Sequence, residues 1–78
     1  MSNKFTTGTT VAYSRNGTGG TQLSFNKEII FAIGTHDGND SSVNIITAHD
    51  FTNFKNGKVG FKSNHFEECG CYYFIIFK

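Results

Sequence analysis

The chain has 78 residues and a formal net charge of +1, which leaves room for one domain with a thin hydrophobic core. The near-neutral charge excludes a general attraction to nucleic acid or to anionic membranes. No apolar run in the sequence is long enough to span a bilayer.

The N-terminus carries Lys4 without an apolar stretch behind it, which is not the pattern of a signal peptide. The two cysteines, Cys69 and Cys71, are too few for a disulfide scaffold and fit a reducing compartment. We therefore expect a single small β-barrel domain over residues 1–78, located in a cytoplasm.

The first predicted strand covers residues 9–14, where Val11 and Tyr13 share one face and the residues between them share the other. This period of two is typical of a half-buried strand. Residues 14–21 are polar and contain two glycine turn pairs, so we predict a mobile loop there.

The strongest strand pattern covers residues 28–35, in which Ile29, Phe31 and Ile33 share one face. Residues 42–48 show similar alternation, and the polar turn sequence of residues 36–41 lies between the two runs. We predict that the two runs pair as a β-hairpin.

Residues 53–62 predict a second hairpin that turns at Asn56-Gly57, because Gly readily adopts the positive φ of a tight turn. Its alternation places Val59 inward. Between the two hairpins, residues 48–53 fit one turn of helix with Asp50 as the N-cap.

The last run, residues 71–77, is apolar on both faces, so we expect it to be covered on both sides. Core packing is one interpretation, and association with a second copy or a partner by β-augmentation is the other. Together the runs predict an all-β fold, either a small SH3-like barrel or a compact antiparallel β-sandwich of five to six short strands.

At the start of the chain, Lys4-Phe5 precedes Gly8 and a strand containing Val11, and a glycine-rich loop follows. This opening resembles the start of small SH3-like barrels that tailed bacteriophages encode as accessory proteins. The resemblance covers the N-terminal third and departs from the family at Lys27-Glu28, where a Gly is usual. Abundant Phe, Ile, Asn and Lys, with no Pro or Trp, also indicate an AT-rich genome. The resemblance implies the fold more than any activity.

Two clusters carry side chains that bind metals or transfer protons. His65, Cys69 and Cys71 are zinc-ligand types, and a structural site needs a fourth ligand such as His36 or His49. The alternative is that Cys71 packs in the core. The second cluster has side chains of acid–base type: His36, Asp37, Asp40, His49 and Asp50. We expect His36 and His49 to border one mouth, and the alternative is that Asp37, Asn39 and Asp40 only form the turn. We favour the structural interpretation of both and predict no metal and no cofactor.

Basic and aromatic residues alternate between residues 54 and 66, as in some proteins that bind single strands. Phe61 faces opposite to Lys58 and Lys62, so we favour rings in the core beside a solvated lysine face. Nucleic-acid binding by a small β-barrel stays the alternative function.

The sequence contains no nucleophile elbow, phosphate loop or Ser-His-Asp order, so we predict a protein that is not an enzyme. Our hypothesis is a phage accessory or anti-defence factor in the host cytoplasm. It binds and blocks a host protein or sequesters a small signalling nucleotide, and it forms a homo-oligomer through Cys71–Phe77. The predicted binding residues lie in or beside loops: Tyr13, Arg15, Asn16, Gly17, Gly19, Gly20, His36, Asp37, Lys55 and Lys58.

Overall fold

The computed structural model describes residues 4–78, and within them the chain is all-β, as the sequence predicts. Seven strands are present, four of them only two or three residues long: β1 (Phe5–Ala12), β2 (Leu23–Ser24), β3 (Ile29–His36), β4 (Ile45–Thr47), β5 (Lys58–Val59), β6 (Phe61–Ser63) and β7 (Cys69–Phe77). Two 3-10 helical turns, His49–Phe51 and Phe54–Asn56, separate β4 from β5. No helix in this part of the chain is long and apolar enough to cross a membrane.

The strands form three antiparallel sheets, in the orders β1-β7-β3, β2-β5 and β4-β6. The hairpin predicted from residues 28–35 and 42–48 is wrong, because β3 pairs with β7 and β4 pairs with β6. The nine-residue β7 offers β3 a longer hydrogen-bonded ladder than the three-residue β4 does. Contact between β3 and β4 includes one side-chain bond, from the Thr47 hydroxyl to the Ala32 carbonyl at 3.5 Å.

The two small sheets cover one face of the main sheet, and the hydrophobic core lies between them. Phe61 of β6 and Ile45 of β4 pack on Gly34 of β3, where a Cβ atom would lie 2.9 Å from each side chain. The predicted inward positions of Val59 and Phe61 are confirmed, since both are fully buried. The buried cluster consists of Ala12, Ile29, Val59, Phe61, Cys71, Ile75 and Phe77.

A β-bulge near the start of β3 changes which side chains reach the core. The pairing with β7 shifts between Ile29 and Phe31, so one residue is skipped in the ladder. Ile29 is 2% exposed, whereas Phe31 is 44% and Ile33 is 49% exposed. The prediction that these three share one face is therefore wrong, because alternation fails across a bulge.

The turn at Asn56-Gly57 is confirmed, with Gly57 in the left-handed region at φ 75°. Asn53 and Lys58 exchange two backbone hydrogen bonds across it, at 2.8 and 2.9 Å. The hairpin predicted for residues 53–62 is shorter in the structure, because β5, the strand after the turn, pairs with β2.

The predicted helical turn in residues 48–53 is present as His49–Phe51, but its capping residue differs. Ala48 occupies the N-cap position without a side-chain hydrogen bond. Asp50 lies inside the turn, with its carboxylate 3.9 Å from the Lys62 ammonium, so the prediction that Asp50 caps it is wrong.

The expectation that β7 is covered on both faces is also wrong. Cys71, Ile75 and Phe77 point into the core, but Tyr72 on the opposite face is 54% exposed. β7 is the central strand, so β1 pairs with one of its backbone edges and β3 pairs with the other. β-Augmentation along Cys71–Phe77 is therefore not available to a second copy.

Candidate functional site

Three loops meet at one end of the main sheet, where β1 and β3 end and β7 begins. The Arg15 amide donates to the His65 carbonyl at 2.8 Å, and the Asp37 amide donates to the Gly70 carbonyl at 3.2 Å. The first bond joins the loop after β1 to the loop after β6, and the second joins the loop after β3 to β7. The loops after β3 and β6, with the last residue of β3 and the first residue of β7, enclose an open pocket of about 190 Å³, lined by His36, Asp40, Val43, His65, Glu67, Glu68 and Cys69.

Ser14 holds the predicted binding loop of residues 15–20 in a defined shape. Its buried hydroxyl lies 2.9 Å from the Thr18 hydroxyl and accepts from the amides of Asn16 and Thr18 at 3.2 and 3.3 Å. Its carbonyl accepts from the Gly17 amide, and Gly17 has φ 82°. The turn character predicted for this loop is confirmed, and Arg15 is carried on it in an exposed position.

Tyr13 is not free to stack on a ligand, in contrast to its predicted role. Its ring is stacked on Phe51 with centroids 3.9 Å apart, and the residue is only 9% exposed. Gly20 packs directly against the same ring, so this glycine provides close approach inside the protein. Gly19 lies beside Glu68 at the rim of the pocket.

The pocket is rich in carboxylates, which determines the charge of any ligand it favours. The Ser42 hydroxyl and amide donate to Asp40 at 2.6 and 3.0 Å, and these bonds lower the pKa of that carboxyl. Glu67 and Glu68 add two further acidic side chains. A phosphate group would be repelled here, whereas a cationic group would be attracted.

The histidine and cysteine side chains do not assemble as a metal centre. No group of three or more His, Cys, Asp or Glu side chains in residues 4–78 is arranged to hold a metal ion. His65 and Cys69 line the pocket, but Cys71 is fully buried in the core, where burial raises the pKa of its thiol to about 11. The core interpretation of Cys71 is confirmed.

The prediction that His36 and His49 border one mouth is wrong. The Thr47 hydroxyl donates to the carbonyl of Ala32, which lies four residues before His36, and His49 follows two residues after Thr47. His36 lines the pocket and His49 does not. The Nδ1 atom of His36 is buried and has no hydrogen-bond partner among the described residues.

Lys55 and Lys58 lie at the opposite end of the main sheet from the predicted binding residues His36 and Asp37. The Lys58 ammonium donates to the Ser24 hydroxyl at 3.1 Å, and the neighbouring Phe25 packs on Phe77. Phe77 pairs with the start of β3, about 23 Å along the strand from His36. The ten predicted residues therefore do not form one surface.

The uncovered face of the main sheet is a second candidate site, which the sequence revealed only in part. The pairing of the three strands places ten side chains on this face, and none of them is charged. We call it the aromatic face, and it consists of Phe5, Thr7, Thr9, Val11, Phe31, Ile33, Thr35, Tyr72, Phe74 and Ile76.

Large apolar side chains on the aromatic face are in contact with one another but remain open to solvent. Phe74 lies between Phe5 and Phe31, with ring centroids 5.6 and 6.4 Å away. Phe5 is 59% exposed. From strand spacing and rise, the face measures roughly 14 by 26 Å, or about 370 Å². In the sequence, the aromatic face was indicated only by the apolar character of both faces of residues 71–77. The side chains that β1 and β3 add to it depend on strand pairing that the sequence did not specify.

Comparison with known proteins gave no significant match to a family model, to a curated protein or to a solved structure. The resemblance of the N-terminal third to phage SH3-like barrels therefore stays a prediction.

Proposed function

We propose that this protein is a non-enzymatic binding protein that docks another protein on its aromatic face. The biological role that we propose is that of a phage accessory factor that binds and blocks a host protein in the host cytoplasm. The supporting observation is the exposed face itself, in which seven other side chains without charge surround the Phe5, Phe31 and Phe74 rings.

The largest exposed apolar patch on a protein is often an interaction site, because burying it removes apolar surface from water. The face covers about 370 Å², within the range of the largest patch on a typical monomer. Four of its ten side chains are aromatic, and aromatic residues are enriched at the centres of protein interfaces. The partner surface that fits is apolar and uncharged, since a charge placed against this face would lose its hydration without a counter-ion.

The aromatic face also favours a protein partner over the two other ligands that the sequence suggested. Single-stranded nucleic acid needs cations beside the stacking rings, and the aromatic face has none. A signalling nucleotide at the glycine-rich loop of residues 15–20 would find the Tyr13 ring already stacked on Phe51, and the adjoining pocket would present three carboxylates to it. Both alternatives stay predictions, and a protein partner is the function that we carry forward.

The test is affinity capture from a bacterial lysate with the wild type, Ile33→Glu and Asn39→Glu. Ile33 is 49% exposed on the aromatic face, and Asn39 is exposed in the loop after β3, so both variants add one carboxylate without disturbing the core. We expect one identified protein to bind the wild type and Asn39→Glu, and to bind Ile33→Glu at least tenfold more weakly. Calorimetry of that pair should give a negative heat-capacity change and little dependence on salt. Equal binding of all three proteins contradicts the proposal.

A further inference from the structure

The outer backbone edge of β1 is open over five residues in the described part of the chain. The Lys4 carbonyl accepts from the Phe77 amide, so the even-numbered residues of β1 direct their backbone groups toward β7. The Val11 carbonyl accepts from the Thr21 amide on the other side, so the odd-numbered residues direct theirs away. The amides and carbonyls of Phe5, Thr7 and Thr9 therefore point outward, and no described residue pairs with them.

Both ends of this opening are set by the fold. Beyond Thr9, the Thr21 amide bonds to Val11, and β6 exchanges backbone bonds with Tyr13 at 2.7 and 2.8 Å. The other edge of the main sheet, on β3, is interrupted by the bulge after Ile29 and touched by β4. Bulges and covering strands block edge pairing, whereas β1 pairs with β7 without a register shift and is uncharged and free of proline from Phe5 to Thr9.

We propose that two copies of this chain associate through β1, in an antiparallel pair related by a two-fold axis at Thr7. In this register Phe5 of each copy faces Thr9 of the second copy, and Thr7 faces Thr7. Each of these pairs is of the hydrogen-bonded type, so the ladder has roughly six bonds and satisfies every outward group of the opening. The proposal is independent of the proposed function, since it uses the outward backbone groups of Phe5, Thr7 and Thr9 and not the side chains of the aromatic face.

A second copy fits this edge better than an unrelated strand because the pattern is complementary to itself. The two-fold axis brings neutral threonines together, and Lys4 faces Thr10 of the second copy, so no like charges meet. The covered end beyond Thr9 limits pairing to one partner, which gives a closed dimer and not a fibre. The dimer has one six-stranded sheet and doubles the aromatic face to about 740 Å², close to the area per partner of a standard interface.

The experiment is sedimentation equilibrium of the full chain as wild type, Thr7→Pro and Thr7→Val. Proline removes the outward N–H at the axis and leaves the β7 side of the ladder intact, whereas valine keeps the N–H and the strand preference. We expect wild type and Thr7→Val to dimerise alike, and Thr7→Pro to raise the dissociation constant at least about tenfold. If Thr7→Pro fails to fold, Thr7→Lys keeps the backbone donor and places two like charges at the axis, with the same expected loss.

Amide hydrogen exchange adds a readout of the edge itself. Dilution of the wild type should speed exchange at Phe5, Thr7 and Thr9 and leave Thr6, Gly8 and Thr10 protected by β7. A monomer at all concentrations overturns the proposal and leaves the edge to a strand from a different protein. A dimer that Thr7→Pro does not weaken overturns it as well. Ile33→Glu should dimerise as the wild type does, so loss of partner binding in that variant bears only on the proposed function.

Discussion

Phe61 provides the sharpest test of the core that the structure places between its sheets. The side chain is fully buried and lies against Gly34 of the main sheet, so truncation leaves a cavity that a rigid backbone position cannot fill. For Phe61→Ala we expect a loss of about 3–5 kcal/mol in the free energy of unfolding. A domain of this length has a total stability of only about 4–12 kcal/mol. The variant should therefore be marginally folded.

The matched control is Phe66→Ala, because it makes the same chemical change at a residue that is 61% exposed. Phe66 packs on His65 with ring centroids 4.6 Å apart, so a loss below about 1 kcal/mol is expected there. Urea unfolding followed by far-UV circular dichroism gives both values, with the m-value unchanged between the two variants.

Should Phe61→Ala not fold at all, Phe61→Leu and Phe66→Leu form a milder pair. The buried change should still cost about 1–1.5 kcal/mol, because leucine fills most but not all of the space. Equal losses at positions 61 and 66 in either pair would refute the assignment of Phe61 to the centre of the core.

Three further predictions concern the turns and the buried thiol. Gly57→Ala should lower the melting temperature more than Gly17→Ala. Both glycines have positive φ, but a Cβ at Gly57 would collide with the carbonyls of Phe25 and Lys27. The atom nearest to a Cβ at Gly17 would be 3.8 Å away. Ser14→Ala should cost about 1–3 kcal/mol and speed amide exchange across residues 16–18, since the hydroxyl holds that loop. Stability should fall as the pH rises from 9 toward 11, because the pKa of Cys71 is raised to about 11 in the fold and the unfolded thiol ionises first. Urea titrations should show this slope in the wild type and not in Cys71→Ala.

The sequence by itself determined the local features of this protein. Gly57 and Gly17 take up the positive φ that their turns need, because that preference belongs to the residue and its immediate neighbours. The all-β class followed from period-two alternation and closely spaced turns. The inward positions of Val59 and Phe61 followed from the same alternation.

Only the tertiary structure decided which strands pair and which faces stay open. The pairing of β3 with β7 joins residues about forty positions apart in the sequence. A local sequence pattern cannot show whether β3 pairs with β7 or with β4, which is nearer in the sequence. The skipped residue at the bulge then reversed the orientation of Phe31 and Ile33 relative to Ile29. The same pairing made β7 central and left β1 with an open edge. Both proposed interaction surfaces therefore depend on non-local hydrogen-bond register, which is why the loops looked like the functional sites in the sequence and the sheet did not.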